Sequence, residues 1–313
     1  MSAPDDRGRI PDDDLERAAD VVSLYRRTMS DDFAGECEGF ANALSVLHWA
    51  QGARGLADAA RATSAELVEV CRRMMMMDQR RYRSALAAAL RLAAADQRNA
   101  RSALPLARES AALFGAAAEV DPGERVYLMD ALVLLSGLQA DLRAPAEAHQ
   151  NAERALAIGR RLVTEDPDGY RPALITALRR LGSGDPDPAV GIARGTDAVQ
   201  LARQQARADI DSGLPLLVAA LQDVSVRLAA GGREADAVAA FVEASSIQRH
   251  LPLPDTPDPA RVPHSPRVPP GDQGDRVDTL IAVSDVVCQL RHRQDDPGAA
   301  AALPAWLARL GTS

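Results

Sequence analysis

Hydrophobic and small positions recur along this chain on a fixed frame. Counting from Leu47, Leu90, Leu135, Leu178 and Val224, a small residue stands 13 positions on in every case: Ala60, Ala103, Ala148, Gly191 and Ala237. Position 23 is aliphatic (Val70, Leu113, Ile158, Leu201, Ile247), and position 31 is aspartate (Asp78, Asp121, Asp166, Asp209, Asp255). Arginine fills position 25 in four of the five, as Arg72, Arg160, Arg203 and Arg249, and Gly115 takes it in the other. Starts lie 43 to 46 residues apart, and the variation falls between one aspartate and the next start. A rigid frame with variable joints predicts stacked copies of one supersecondary unit rather than a single globular core.

Each unit reads as two antiparallel helices. A first helix, for example 82–95 or 170–182, is followed by a break and then by a longer second helix. The breaks are Gly-Ala-Arg at 52–54, Ala-Pro-Ala at 144–146, Gly-Asp-Pro-Asp-Pro at 184–188 and Gly-Gly-Arg at 231–233. Pro122 and Pro167 directly follow their aspartates, and a proline disfavours helix in the residue before it, so Asp-Pro marks the end of a pair. Asp12, Asp13 and Asp14 offer an N-cap to a helix running to about Met29. That helix carries Leu24, Arg26 and Asp32 at late frame positions, so it is the second half of a unit whose first half is missing. The predicted organisation is an acidic disordered tail at 1–11, an all-α solenoid over 12–255 made of one half unit and five helix pairs, a proline-rich linker or insertion at 256–278, and a C-terminal helix pair at 279–313 read as a last, displaced repeat.

Composition narrows the function classes. Aromatic residues are only 3% of the chain, and alanine and aliphatics dominate, which suits close helix–helix packing. A formal charge of −8 argues against nucleic acid as a partner, since that needs a basic face. No lysine occurs, which points to a GC-rich bacterial genome. Cys37, Cys71 and Cys288 are far apart without a Cys-x-x-Cys pair, a reduced pattern of buried apolar thiols. The N-terminal stretch is acidic and lacks an apolar segment, and no run approaches the roughly 18 apolar residues of a membrane span, so a cytoplasmic protein without a membrane partner is expected.

Within the fifth unit, Leu221, Val224, Ser225, Leu228, Gly232, Ala237, Phe241 and Ala244 resemble the helix-packing positions of a tetratricopeptide repeat. The first unit keeps Leu44, Leu47, Gly55 and Ala60, and the third keeps Leu132, Leu135, Ser136, Ala148 and Ala155; in the fourth, Pro186 replaces the usual turn glycine. The long period is similar to that of the repeats in kinesin light chains and of those attached to regulatory NTPases in bacteria. The resemblance implies a right-handed superhelix of stacked antiparallel helix pairs, with first helices lining a concave docking groove. Positions matching the family's inward-facing ones are Asn42, Ser45 and Trp49; Leu92 and Asp96; Asp130 and Asp141; Arg180; and Gln222. Aspartates outnumber the single inward arginine, so the groove suits a peptide or helix of basic character rather than a free carboxylate.

No catalytic constellation stands out. The five histidines lack metal-ligand spacing, and the glycine-rich stretches lack a following Lys-Ser/Thr, so no metal, nucleotide or other cofactor is expected. The acidic run Asp12–Glu16 weakly resembles the magnesium-binding motif of all-α terpenoid enzymes, but helix capping accounts for it better. Met74 to Met77 point all round one helix, so no more than two can face one partner. The expected function is therefore a non-enzymatic adaptor. The alternatives are a ligand- or peptide-responsive regulatory subunit working with an NTPase or effector encoded elsewhere and, less favoured, an all-α enzyme. The N-terminal half unit also exposes an apolar edge through which the chain could self-associate.

Overall fold

The computed structural model describes residues 12–28 and 33–249, which form eleven α-helices with no strand among the described residues. They are α1 (Asp12–Thr28), α2 (Phe33–Ala53), α3 (Ala57–Met77), α4 (Gln79–Ala95), α5 (Ala100–Ala118), α6 (Arg125–Asp141), α7 (Pro145–Glu165), α8 (Pro167–Gly184), α9 (Pro188–Ala208), α10 (Ile210–Ala230) and α11 (Glu234–Gln248). A 3-10 turn, Pro122–Glu124, precedes α6. The fold is all-α and repeat-like: even-numbered helices from α2 to α10 are first helices, and odd-numbered helices are second helices. The acidic tail, Asp255, the proline-rich stretch and the C-terminal helix pair lie outside the described residues.

The aspartate at position 31 explains the frame. Asp78, Asp121, Asp166 and Asp209 have extended backbones, with φ of −148°, −123°, −146° and −146°. Each backbone N–H donates to the last turn of the helix before it, with acceptors Met74, Ala117, Leu162 and Gln205. Each carboxylate accepts from the first turn after it, from the N–H of Arg81, Gly123, Gly169 and Asp211. One residue thus closes one element and N-caps the next. First helices begin earlier than apolar spacing alone suggests: α4 starts at Gln79 and α8 at Pro167, because the cap and a tolerated first-turn proline carry the helix back to the aspartate.

Three of the five turns inside a pair use left-handed backbone. Gly55 (φ +69°) and Gly232 (φ +76°) supply it where glycine is present, and Arg143 (φ 57°) adopts it between α6 and α7. Between α8 and α9, where Pro186 stands, an ion pair replaces the glycine. Asp185 binds the Arg194 guanidinium and accepts from the Asp187 N–H, while the Asp187 carboxylate caps α9.

Small residues at position 13 are buried where the two helices of a pair meet: Ala60, Ala103, Ala148, Gly191 and Ala237. Their size allows backbone-level contact. Ser136 Oγ donates to the Ala148 carbonyl at 2.8 Å, and a Cβ placed on Gly191 would sit 2.8 Å from the Gly182 carbonyl. At position 23 only Val70 is fully buried, the other four being half-buried.

The described residues fall into two compact units, 12–158 and 159–249, with the break inside α7. In the first unit, Phe40, Leu44, Leu90, Met129 and Leu132 are buried large side chains, each contributing roughly 1.5–3 kcal/mol. Val21 and Leu24 stay exposed on α1. In the second, α10 packs against α8, α9 and α11. By length and composition α10 is apolar enough to cross a membrane, contrary to the expectation that no segment approaches a span. Half of its apolar window is buried inside the unit, and it carries Asp223, which pairs with Arg179.

Candidate docking site

Short turns between antiparallel neighbours make α2, α4 and α6 run in the same direction. Asn42, Ser45 and Trp49 lie at helical spacing along one side of α2, and all are half-buried. Ser45 Oγ is turned onto its own helix, donating to the Ala41 carbonyl at 2.9 Å. Leu92 is half-buried on α4, and Asp96 follows the last turn of that helix. Asp96 Oδ2 lies 2.8 Å from His48 Nε2, which fixes the carboxylate beside the Trp49 end of α2. Asp130 is half-buried on α6 and already engaged in a polar interaction, whereas Asp141, the last residue of α6, is exposed.

Asp96 and Asp141 therefore stand at the C-terminal ends of parallel first helices, where the helix dipoles already concentrate negative potential. Arg180 and Gln222 belong to the other unit. Arg180 is exposed on α8, and the cation engaged with a neighbouring first helix is Arg179, whose Nε donates to Asp223 on α10 at 2.7 Å. Gln222 donates to Gln248 on α11 at 3.2 Å. Of the residues singled out from the sequence, Trp49 and Asp96 are thus brought together through His48, and Asp141 takes the same frame position on α6 that Asp96 takes on α4.

The frame also holds a feature not recognised in the sequence. At three of the five joints, position 25 of one second helix faces position 19 of the next one. Arg26 contacts Glu66 at 2.5 and 2.9 Å, Arg72 contacts Glu109 at 3.3 Å, and Arg203 contacts Glu243 at 2.8 and 2.9 Å. The five units carry Glu66, Glu109, Arg154, Asp197 and Glu243 at position 19, an acidic column broken once, and that column was the available signal. These exposed pairs set register more than stability, each adding about 0–1 kcal/mol.

No group of three or more potential ligands for a metal ion is present among the described residues. Cys37 and Cys71 are free and buried. Burial pushes the Cys71 thiol up to about 12, so at pH 8 it is expected to resist a disulfide reagent until the chain unfolds. Labelling kinetics followed by mass spectrometry check this; labelling of Cys71 as fast as that of a free thiol would contradict it. Met74 is buried and Met76 is 87% exposed, so the methionine run divides between core and surface as helical geometry requires.

No family model matches the chain, and no curated protein matches it. A solved structure does: BtubC (BKLC) from P. vanneervenii, with a TM-score of 0.52 and 15% identity, over 79% of this chain and 95% of that one. The likeness shows a shared helical, repeat-like architecture.

Proposed function

We propose that this chain is a non-catalytic docking protein of the tetratricopeptide type, whose first helices receive a basic segment of another protein. The observation that carries the reading is the pair of acidic helix ends in the first unit. Asp96 and Asp141 add formal charge to the negative ends of α4 and α6, and Trp49 supplies a half-buried aromatic surface on the α2 end that His48 ties to Asp96. An arginine or lysine side chain meets both needs at once, with its stem or guanidinium on the indole and its charge toward the Asp96 carboxylate. His48 holds Asp96 in place before the partner arrives, which lowers the ordering cost of binding. The position-31 caps and the repeat-like architecture support a rigid scaffold, the setting in which such surfaces are used.

The test is affinity capture with the wild-type chain and with Trp49→Ala/Asp96→Arg/Asp141→Arg, both confirmed folded by circular dichroism. A protein held by the wild type and released by the triple variant is expected. Its binding should weaken by at least about tenfold when the arginines or lysines of its docking segment are neutralised. Equal recovery by both chains would place binding elsewhere and overturn the reading.

A further inference from the structure

One joint departs from the arginine–glutamate brace on both sides at once. Between α5 and α7, position 25 is Gly115 instead of arginine and position 19 is Arg154 instead of an acid. At that joint the surface opens into a shallow, solvent-open cleft of about 430 Å³. Gly115 and three alanines of α5 form one wall, Leu132 and Leu135 of α6 form the floor, and Asn151 and Arg154 of α7 form the other wall. Arg108 lines it two turns before Gly115, about 10 Å along α5. Among the described residues neither Arg108 nor Arg154 has an acidic partner at ion-pair distance.

We propose that this cleft docks a segment of another protein that brings in the missing acid, an aspartate or glutamate side chain seated against Arg154 and Arg108. Three features argue for this occupant. First, a carboxylate–guanidinium pair between successive second helices is a contact the fold already makes three times, so the geometry is built for it. Second, the space is there because Gly115 removes the arginine side chain that occupies it elsewhere, and a Cβ on Gly115 would meet nothing within 4 Å. Third, the apolar alanine and leucine lining matches short side chains flanking the acid, where a free anion would use only the two cations. Asn151 spends its Nδ2 on the Gln139 side chain at 2.8 Å, so its carbonyl oxygen remains to accept a backbone N–H of the segment. Glu119 also lines the cleft, on the side of Gly115 away from Arg108, which orients the occupant with its acid toward Arg108. This site is independent of the acidic helix ends and selects a partner of opposite charge.

The probe is a displayed random dodecapeptide library, selected on the full chain and counter-selected on Gly115→Arg/Arg154→Glu. That double variant rebuilds the brace seen at three other joints and fills the cleft from within, so it should melt at or above the wild-type temperature. Arg154→Gln, which removes the charge without adding atoms, is the second variant. Peptides sharing one aspartate or glutamate beside alanine, leucine or valine are expected. Changing that acid to its amide, or using either variant, should weaken binding by about tenfold or more. Selection without acid enrichment, binding that neither variant alters, or no binder at all overturns the proposal. So does succinate alone if it raises the melting temperature of the wild type, but not of Arg154→Gln, as much as the selected peptide does, because the cleft is then a small-anion site.

Discussion

Asp185→Ala is expected to destabilise the second unit by about 3–5 kcal/mol, the range for stranding one member of a buried ion pair. The Arg194 side chain is 7% exposed and Asp185 11%, so water cannot take over from the lost carboxylate. The substitution also removes the acceptor for the Asp187 N–H, in a turn that has no glycine to hold its shape. Arg227 raises the stakes at the same turn. Its guanidinium donates to the Asp185 carbonyl at 3.3 Å, and burial pulls its pKa below the usual arginine value, so a second cation depends on this segment. Removing both charges with Asp185→Ala/Arg194→Met should recover most of the loss, since the penalty comes from a buried guanidinium deprived of this carboxylate more than from the absent attraction. Urea unfolding of the three variants checks this. A double variant no more stable than Asp185→Ala would mean that the turn hydrogen bond, not the charge, holds the segment.

Gly213→Ala should also destabilise the second unit, by about 1–2 kcal/mol net. A Cβ there would lie 2.3 Å from both the N and the Cα of Ala206 in α9. These are backbone atoms of a helix, so relief requires the start of α10 to move away from α9, an overpacking strain of about 1–3 kcal/mol or more. The displacement also strains the neighbouring contacts of Asp209 with the Asp211 N–H at 3.1 Å and of Gln205 with Ser212 at 3.2 Å. Helix propensity pulls the other way by about 1 kcal/mol, which separates this site from an ordinary helical glycine. Gly137→Ala is the control: its Cβ would meet nothing within 4 Å, so it should raise stability by up to about 1 kcal/mol. Opposite shifts of the urea midpoint at unchanged slope are expected; a loss at both sites would make backbone freedom, not the α9–α10 approach, the common cause.

The features legible in the sequence are those that one residue type imposes locally. The buried small residue at position 13 and the aspartate at position 31 recur because the close approach and the cap each admit few alternatives, so the frame and the helix pairing could be read directly. The α8–α9 turn was not legible in this way. Pro186 looks like a loss at a glycine position, and only the contact of Asp185 with Arg194, nine residues on, shows what replaces it. The choice between Arg179 and Arg180 was hidden for a similar reason. Adjacent residues on a helix point about 100° apart, and which one reaches Asp223 depends on the rotation of α8 against α10. His48 carried no signal, because its partner Asp96 lies 48 residues away on another helix. The column at position 19 was present in the letters but takes its meaning from position 25 of the preceding unit, a pairing that only the packed helices reveal.

The aspartate joints bear on how such a chain can be cut and recombined. Each of the four belongs to two neighbours, closing one helix with its amide and opening the next with its carboxylate. A block cut out just behind an aspartate begins without the N-cap of its first helix, a penalty of about 1 kcal/mol at that end. The transferable module of this architecture therefore starts at the aspartate and ends one residue short of the next. Modules cut at either side of the aspartate rebuild the same internal seams when joined, so the offset decides the ends: a module that starts at the aspartate keeps the N-cap of the first helix of the assembled array.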